Sequence, residues 1–433
     1  MLPPFVRHRG RRVLALVAAS LLLVACTSTG LPSRSPEPST APTRQPTDEP
    51  TSGPSSSTSG PQGSIDPVYA SIAAQVEQIR GLRHTADVTP VVIDKDTLRK
   101  NLEADFDESN QPGAVEASER LLKALGLIPA GLSLRTAFID LQAGQVVGYY
   151  SPKRDELFVV STAGGIGPTE RATYAHEYTH QLQDQNFGLD KLGFDAPDQS
   201  DRSLARLALV EGDAVSAQTR WMQANLTAED LGQIFADASD PAALKALQDA
   251  PPILRETAFF PYEQGAILVS TLMVRGGYKG VDAAFASPPD STEQILHPEK
   301  YLDRDPPIAV TVPADLPARL GAGWSDGGTD TLGELQLRIW LIQGGVSTAA
   351  ASRAAAGWGG DRVMLLVGPG GTTAVALITE WDTPADANEF ATAAKTALVG
   401  LKLTGLVSQA AGPTQVRVAI GSSAPDVLAA LGG

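Results

Sequence analysis

Apolar side chains return at intervals of three and four residues from Asp66 onward, with Val68, Ile72, Val76 and Ile79 on one stripe, and this spacing predicts a helix. A second helical stretch is expected over 114–125, ending at Gly126. The pattern then changes period. Residues 145–150 and 156–160 read as strands joined by the polar turn 151–155, a β-hairpin. After Gly164-Gly165 and the helix-starting Pro168-Thr169, helical spacing returns and runs to about Asn186, and further helices are expected near 203–222, 263–275 and 292–296. Beyond Pro306-Pro307 the pattern predicts helices at 332–342, 347–356 and 384–398 with strands at 362–367, 373–379 and 415–420, a small α+β module. No internal repeat is evident. The expected organisation is one α+β unit over 66–305 and the smaller module over 306–433.

The N-terminus has a different character. Arg7, Arg9, Arg11 and Arg12 precede an uncharged apolar run over 13–25, the layout of a secretory signal. Thirteen helical residues span about 20 Å, short of the roughly 30 Å hydrocarbon core, so the run does not read as a membrane span. Its ending, Leu23-Val24-Ala25-Cys26, resembles a bacterial lipobox, which implies cleavage of 1–25 and lipid attachment at Cys26. Arg11-Arg12 matches twin-arginine export poorly. Residues 26–65 are dominated by Ser, Thr, Pro and Gly and read as a disordered tether. The tether would hold the folded part about 35 Å from the membrane on average. The expected location is the outer face of a bacterial cytoplasmic membrane, or the cell envelope.

Composition narrows the functions. The chain of 433 residues carries a formal charge of −15, and without 1–25 the balance is 30 basic against 49 acidic side chains, or −19. Nucleic acid is not an expected partner, since phosphate binding needs a basic face. Cys26 is the only cysteine, so no intramolecular disulfide can form.

The candidate chemistry is concentrated in His176-Glu177-Tyr178-Thr179-His180. On a helix the two imidazoles lie one turn apart on one face, where they can share a metal, and Glu177 is rotated about 100° away as a candidate general base. Gln183 and Asn186 stand where a metzincin would have Gly and His, so any third ligand lies elsewhere. Only His84, His176, His180 and His297 remain beyond the leader, which favours a carboxylate. Glu211 falls on an apolar stripe formed by Leu204, Leu207, Ala208, Ala214 and Val215. A buried carboxylate there needs a cation, and either Arg202 or Arg206 or a metal could supply it. Gly212 would let a second helix approach closely.

The segments 176–184 and 209–214 together resemble the gluzincin zinc metallopeptidases, in particular secreted or surface zincins of bacteria and archaea. The resemblance covers about 66–305. It implies a zincin-like catalytic domain, with the hairpin's edge strand preceding the zinc helix. It also implies Zn2+ held by His176, His180 and Glu211, and Glu177 as general base. One departure stands out: the acid expected four residues after Glu211 is Val215, and Asp213 is offset by two. Asp184 and Asp213 are the candidates to orient a ligand histidine, with Asp184 favoured because it lies one turn beyond His180. Tyr262 and His297 are the candidate donors to an oxyanion, with packing and a helix cap as their ordinary alternatives.

Taken together, these features predict a zinc-dependent peptidase acting on peptide or protein. A free strand edge would take an extended peptide, and Tyr149 and Tyr150 would flank the cleft. The alternatives are a zinc-binding but non-proteolytic cell-envelope binding or assembly lipoprotein, and a ligand-binding or scaffold lipoprotein in which the helix pair is coincidental. Gly368-Pro369-Gly370-Gly371 is a turn lacking the Lys-Ser/Thr of a phosphate loop.

Overall fold

The structure is a computed structural model that describes residues 16–19, 65–161, 165–194, 196 and 198–432. The expected lipidation site at Cys26, the tether and most of the leader lie outside these residues. Among the described residues no helix is long and apolar enough to cross a membrane.

The chain is mixed α+β, with two small sheets set among helices. In order, β1 (Leu16–Ala19) is followed by α1 (Pro67–Arg80), β2 (Pro90–Ile93), α2 (Lys95–Ser109), α3 (Pro112–Ala124) and α4 (Leu134–Gln145). Then come the hairpin strands β3 (Val146–Ser151) and β4 (Glu156–Val160), α5 (Pro168–Phe187), α6 (Ser200–Asn225), α7 (Ala228–Ala238), α8 (Pro241–Asp249) and α9 (Pro252–Gly276). Shorter helices α10 (Tyr278–Ala286), α11 (Thr292–Leu296), α12 (Pro298–Leu302) and α13 (Leu316–Arg319) lead into the last part. That part contains β5 (Ser325–Asp330), α14 (Gly333–Gln343), α15 (Thr348–Ala355), β6 (Trp358–Val367) and β7 (Thr373–Trp381). It closes with α16 (Pro384–Gly400), β8 (Gly405–Ser408), β9 (Gln415–Ile420) and α17 (Ala424–Ala430).

The first sheet has the order β1-β3-β4-β2, with β2 parallel to β4 and the other pairs antiparallel. The hairpin register sets Tyr149 opposite Phe158, and the two rings stack at 4.5 Å. The second sheet has the order β5-β6-β7-β9-β8 and is antiparallel throughout. Its inner face joins the rest of the molecule. One hydrophobic core takes in Leu121, Leu134, Leu204, Leu209 and Leu268 together with Trp340, Leu365, Leu377 and Phe390, so packing continues across Pro306-Pro307. Trp340 Nε1 donates to the Leu125 carbonyl at 3.1 Å, and Ser200 N donates to Asp330 at 2.9 Å.

Several elements extend past their expected limits for local reasons. α9 starts at Pro252, a residue whose fixed φ suits the first turn, rather than near Glu263, and it continues through Pro261. Pro261 removes one backbone donor, yet the helix is buried on both sides of it and packing holds it together. α2, α4, α7 and α8, and the short strands β2, β5 and β8, carry no expectation from the apolar pattern.

Candidate metal centre

α5 begins with Pro168 in its first turn, while Glu170 Oε2 accepts the Gly167 N–H at 3.0 Å. It ends at Gly188, whose φ of 71° supplies the left-handed turn that stops a helix. Between these ends α5 is buried nearly all round. Tyr174 and Tyr178 pack with Tyr69, Ile72 and Val76 of α1, and β3 and β4 lie alongside the helix. The remaining face, with His176 and His180, is turned to α6 and Glu211.

The three side chains converge at atomic distances. His176 Nε2 lies 3.2 Å from Glu211 Oε2, His180 Nε2 lies 3.3 Å from the same oxygen, and the two Nε2 atoms are 3.1 Å apart. Four ligands at about 2.0–2.1 Å around a tetrahedral ion place their donor atoms about 3.3 Å from one another. His176 and Glu211 are 1% exposed and His180 and Glu177 are 0% exposed, so the cluster is shut off from bulk water.

Local hydrogen bonds decide how His180 presents itself. Its Nδ1 is 2.8 Å from Gln183 Oε1, and the Gln183 amide nitrogen donates to Val210 O and to Asp213 Oδ2, each at 2.9 Å. With the amide so oriented, Oε1 can only accept. Nδ1 therefore carries a hydrogen, and the ring offers an Nε2 lone pair to the centre once a metal takes the place of its second proton. Two imidazole nitrogens and a carboxylate then point electron pairs at one small volume. Such a set requires a cation, a proton or a metal. The buried His176, His180 and Glu211 cluster can bind a metal ion.

The proton affinities report the same convergence. Burial alone would raise Glu211, but the charge of His180 and hydrogen bonds from both histidines bring it down to about 2. Burial would lower His180, yet the charge and hydrogen bond of Glu211, with Glu177 nearby, push it up to about 9. His176 is lowered, because burial outweighs its bond to Glu211.

The other cations proposed for Glu211 are engaged elsewhere. Arg206 bonds Asp290 at 2.8 Å and the Leu192 carbonyl at 2.6 Å, and Arg202 reaches Asp290 at 3.2 Å. Gly212 does serve a close helix contact, but with α9 rather than α5. A Cβ on Gly212 would meet the Gly265 carbonyl carbon at 2.2 Å. One turn before Gly265, Tyr262 stacks on His176, ring centroids 6.1 Å apart at 27°. On the sheet side, Gly148 of β3 faces Glu177: a Cβ there would be 2.4 Å from Thr173 Cγ2 and 3.4 Å from Glu177 Cγ.

The comparisons with known proteins leave this centre untouched. A family model described as a domain of unknown function (DUF8575) matches residues 319–423, which hold all five strands of the second sheet. No curated protein and no solved structure matches the chain.

The remaining expected site residues are placed as follows. Asp184 accepts the Leu189 N–H at 2.9 Å and the Tyr150 hydroxyl at 3.2 Å, which turns it toward the hairpin instead of either imidazole. Asp213 acts one bond removed, through Gln183. His297 Nε2 lies 3.1 Å from Glu334 Oε1 of α14 and its Nδ1 lies 3.7 Å from Glu299 of α12, so its partners are outside the cluster. Tyr149 and Tyr150 are buried, with their hydroxyls on Asn101 and Asp155, so they line no open cleft. Gln183 is the functional residue that no metal-ligand or apolar pattern in the sequence marks. Its position three after His180 was the available signal, since residues at i and i+3 are neighbours on a helix.

Proposed function

We propose that the chain is a zinc-dependent peptidase of gluzincin type, exported and lipid-anchored through Cys26. The observation that carries the reading is the mutual spacing of His176 Nε2, His180 Nε2 and Glu211 Oε2 at 3.1–3.3 Å. Two imidazoles and one carboxylate are a known catalytic zinc set that leaves a coordination position open. The order hairpin, zinc helix and Glu-bearing helix supports a zincin-like arrangement. Zinc, when bound, supplies a Lewis acid that polarises a carbonyl and acidifies water.

The chain's own residues supply the rest. Glu177, one residue from a ligand and packed against Gly148, takes the proton from the attacking water and returns it to the leaving nitrogen. Tyr262, stacked on His176, is the better placed of the two candidate oxyanion donors. β3 offers an extended peptide its backbone. Leu16–Ala19 already pairs along that edge, Ala18 opposite Gly148.

One observation favours a second reading, a zinc-binding envelope protein without peptidase action. Glu177 and the three ligand candidates are at most 1% exposed, whereas hydrolysis needs entry for a peptide. Leu16–Ala19 lies alongside α5 and β3, so cleavage before Cys26 would open that side. The test compares the chain lacking 1–25 with its Glu177→Gln variant on a peptide library. The peptidase reading expects zinc to be retained and cleavage to fall about 10²- to 10⁴-fold. Equal cleavage by both proteins would remove Glu177 from the mechanism.

A further inference from the structure

Behind His180 lies a buried chain of polar groups that begins in α1, far from the metal ligands in sequence. Arg80 is fully buried, and its Nε sits 2.8 Å from Asp213 Oδ1 and 2.9 Å from Oδ2. Its Nη2 reaches Asp282 at 2.7 Å, and the guanidinium lies over the Tyr278 ring at 4.6 Å. The guanidinium therefore has one position. Asp213, buried on α6, is neutralised and oriented by it, and Asp213 in turn accepts from Gln183.

We infer that Gln183, held in one orientation by Val210 and by the Arg80–Asp213 pair, is the positioning residue that fixes the His180 ring for metal. Turning the Gln183 amide over would set its oxygen against the Val210 carbonyl and the Asp213 carboxylate, two acceptor–acceptor contacts between buried groups. It would also aim a donor at His180 Nδ1 and move the ring hydrogen to Nε2, where it blocks coordination. Arg80 excludes that state from a distance by holding the Asp213 carboxylate in place. A neutral amide in this role, where a carboxylate is common, orients the ring without adding charge to it. Asp213 itself faces Arg80.

This inference rests on the metal-binding reading above, and its test separates the two. Zinc dissociation constants, measured by competition with a chromogenic chelator, are compared for the folded wild type, Gln183→Met and Asp213→Asn, with thermal unfolding recorded for each. Gln183→Met keeps the shape and removes the acceptor. Asp213→Asn presents an amide donor to Gln183 while its oxygen stays with Arg80. Both are expected to weaken zinc binding about 10- to 100-fold, more than any fall in thermal midpoint accounts for. Should Gln183→Met not fold, Asp213→Asn carries the test. In metal-free protein labelled with ¹⁵N-histidine and kept alkaline enough for His180 to be neutral, the one ring hydrogen should sit on Nδ1 in the wild type and lose its hydrogen-bonded shift in Gln183→Met. Wild-type affinity in both variants, or a bare Nδ1 in the wild type, would overturn the inference. A wild type without zinc affinity would strike the proposed function instead, because the Nδ1 hydrogen is read without metal.

Discussion

Replacing Gly212 by alanine puts a methyl group 2.2 Å from the carbonyl carbon of Gly265, 2.3 Å from its oxygen and 2.8 Å from Ala266 N. All three atoms are backbone, so no side-chain rotation relieves the contact. Ordinary contact starts near 3.4 Å, and α6 and α9 must therefore move apart by about 1 Å along their crossing. In an isolated helix alanine is better than glycine by about 1 kcal/mol. Overpacking costs about 1–3 kcal/mol, occasionally more, and a clash with rigid backbone belongs at the upper end. A net loss of about 2 kcal/mol is expected. Gly232, mid-way along α7 with nothing within 4 Å of an added Cβ, is the control. Gly232→Ala should gain about 0.5–1 kcal/mol. Urea unfolding midpoints for the two variants should move in opposite directions. Because Glu211 adjoins Gly212, Gly212→Ala should also weaken zinc binding. A Gly212→Ala protein with unchanged midpoint and unchanged zinc affinity would refute the close crossing as the device that sets Glu211 and Tyr262.

Glu77 makes a pH prediction. Burial would raise its pKa, but bonds from His84, Arg83 and Tyr178 bring it down to about 2. A depressed carboxylate contributes stability above its unfolded pKa of about 4.5 and loses it as pH falls through about 2, here at most about 3 kcal/mol because exposed Arg83 is screened. Glu77→Gln should flatten the stability profile between those values; a profile as steep as wild type would contradict the assignment. Gly148→Ala drives a methyl into Thr173 and the Phe158 carbonyl, 2.4 and 2.8 Å away, and displaces Glu177. Peptide cleavage should fall by up to about 100-fold with zinc content unchanged, and loss of zinc instead would show that α5 moves as a whole.

The sequence was most informative where one helix face carried both the apolar pattern and the chemistry. His176 and His180 at i and i+4, and Glu211 stranded among Leu204, Leu207 and Ala208, were readable because a helix fixes relative direction along its length. What lay across helices was not readable. Nothing in local spacing says that Gly212 meets Gly265, that Arg80 reaches Asp213, or that Gln183 rather than Asp184 faces His180, since each depends on packing between separate elements. Asp184 shows the limit plainly: it has the right helical offset, but Tyr150 and the Leu189 N–H claim both its oxygens. α7 and α8 do carry helical apolar spacing, in Leu231, Ile234 and Phe235 and in Leu244 and Leu247, but those stripes are hardly buried: Ile234 is the one buried side chain of α7 and α8 has none. The continuous core through Leu204, Leu268, Trp340 and Leu377 was equally invisible, because Pro306-Pro307 marks a change in pattern and not a break in packing.

Metal content per chain, measured by mass spectrometry after zinc loading and desalting, tests the proposed three-ligand zinc site most directly. The protein without residues 1–25 is set beside Glu211→Gln. One zinc per wild-type chain and little in Glu211→Gln is the expected result, since the variant keeps the shape but loses the anionic ligand. A folded wild type that retains no zinc, or a Glu211→Gln protein that holds zinc as tightly as wild type, would contradict it.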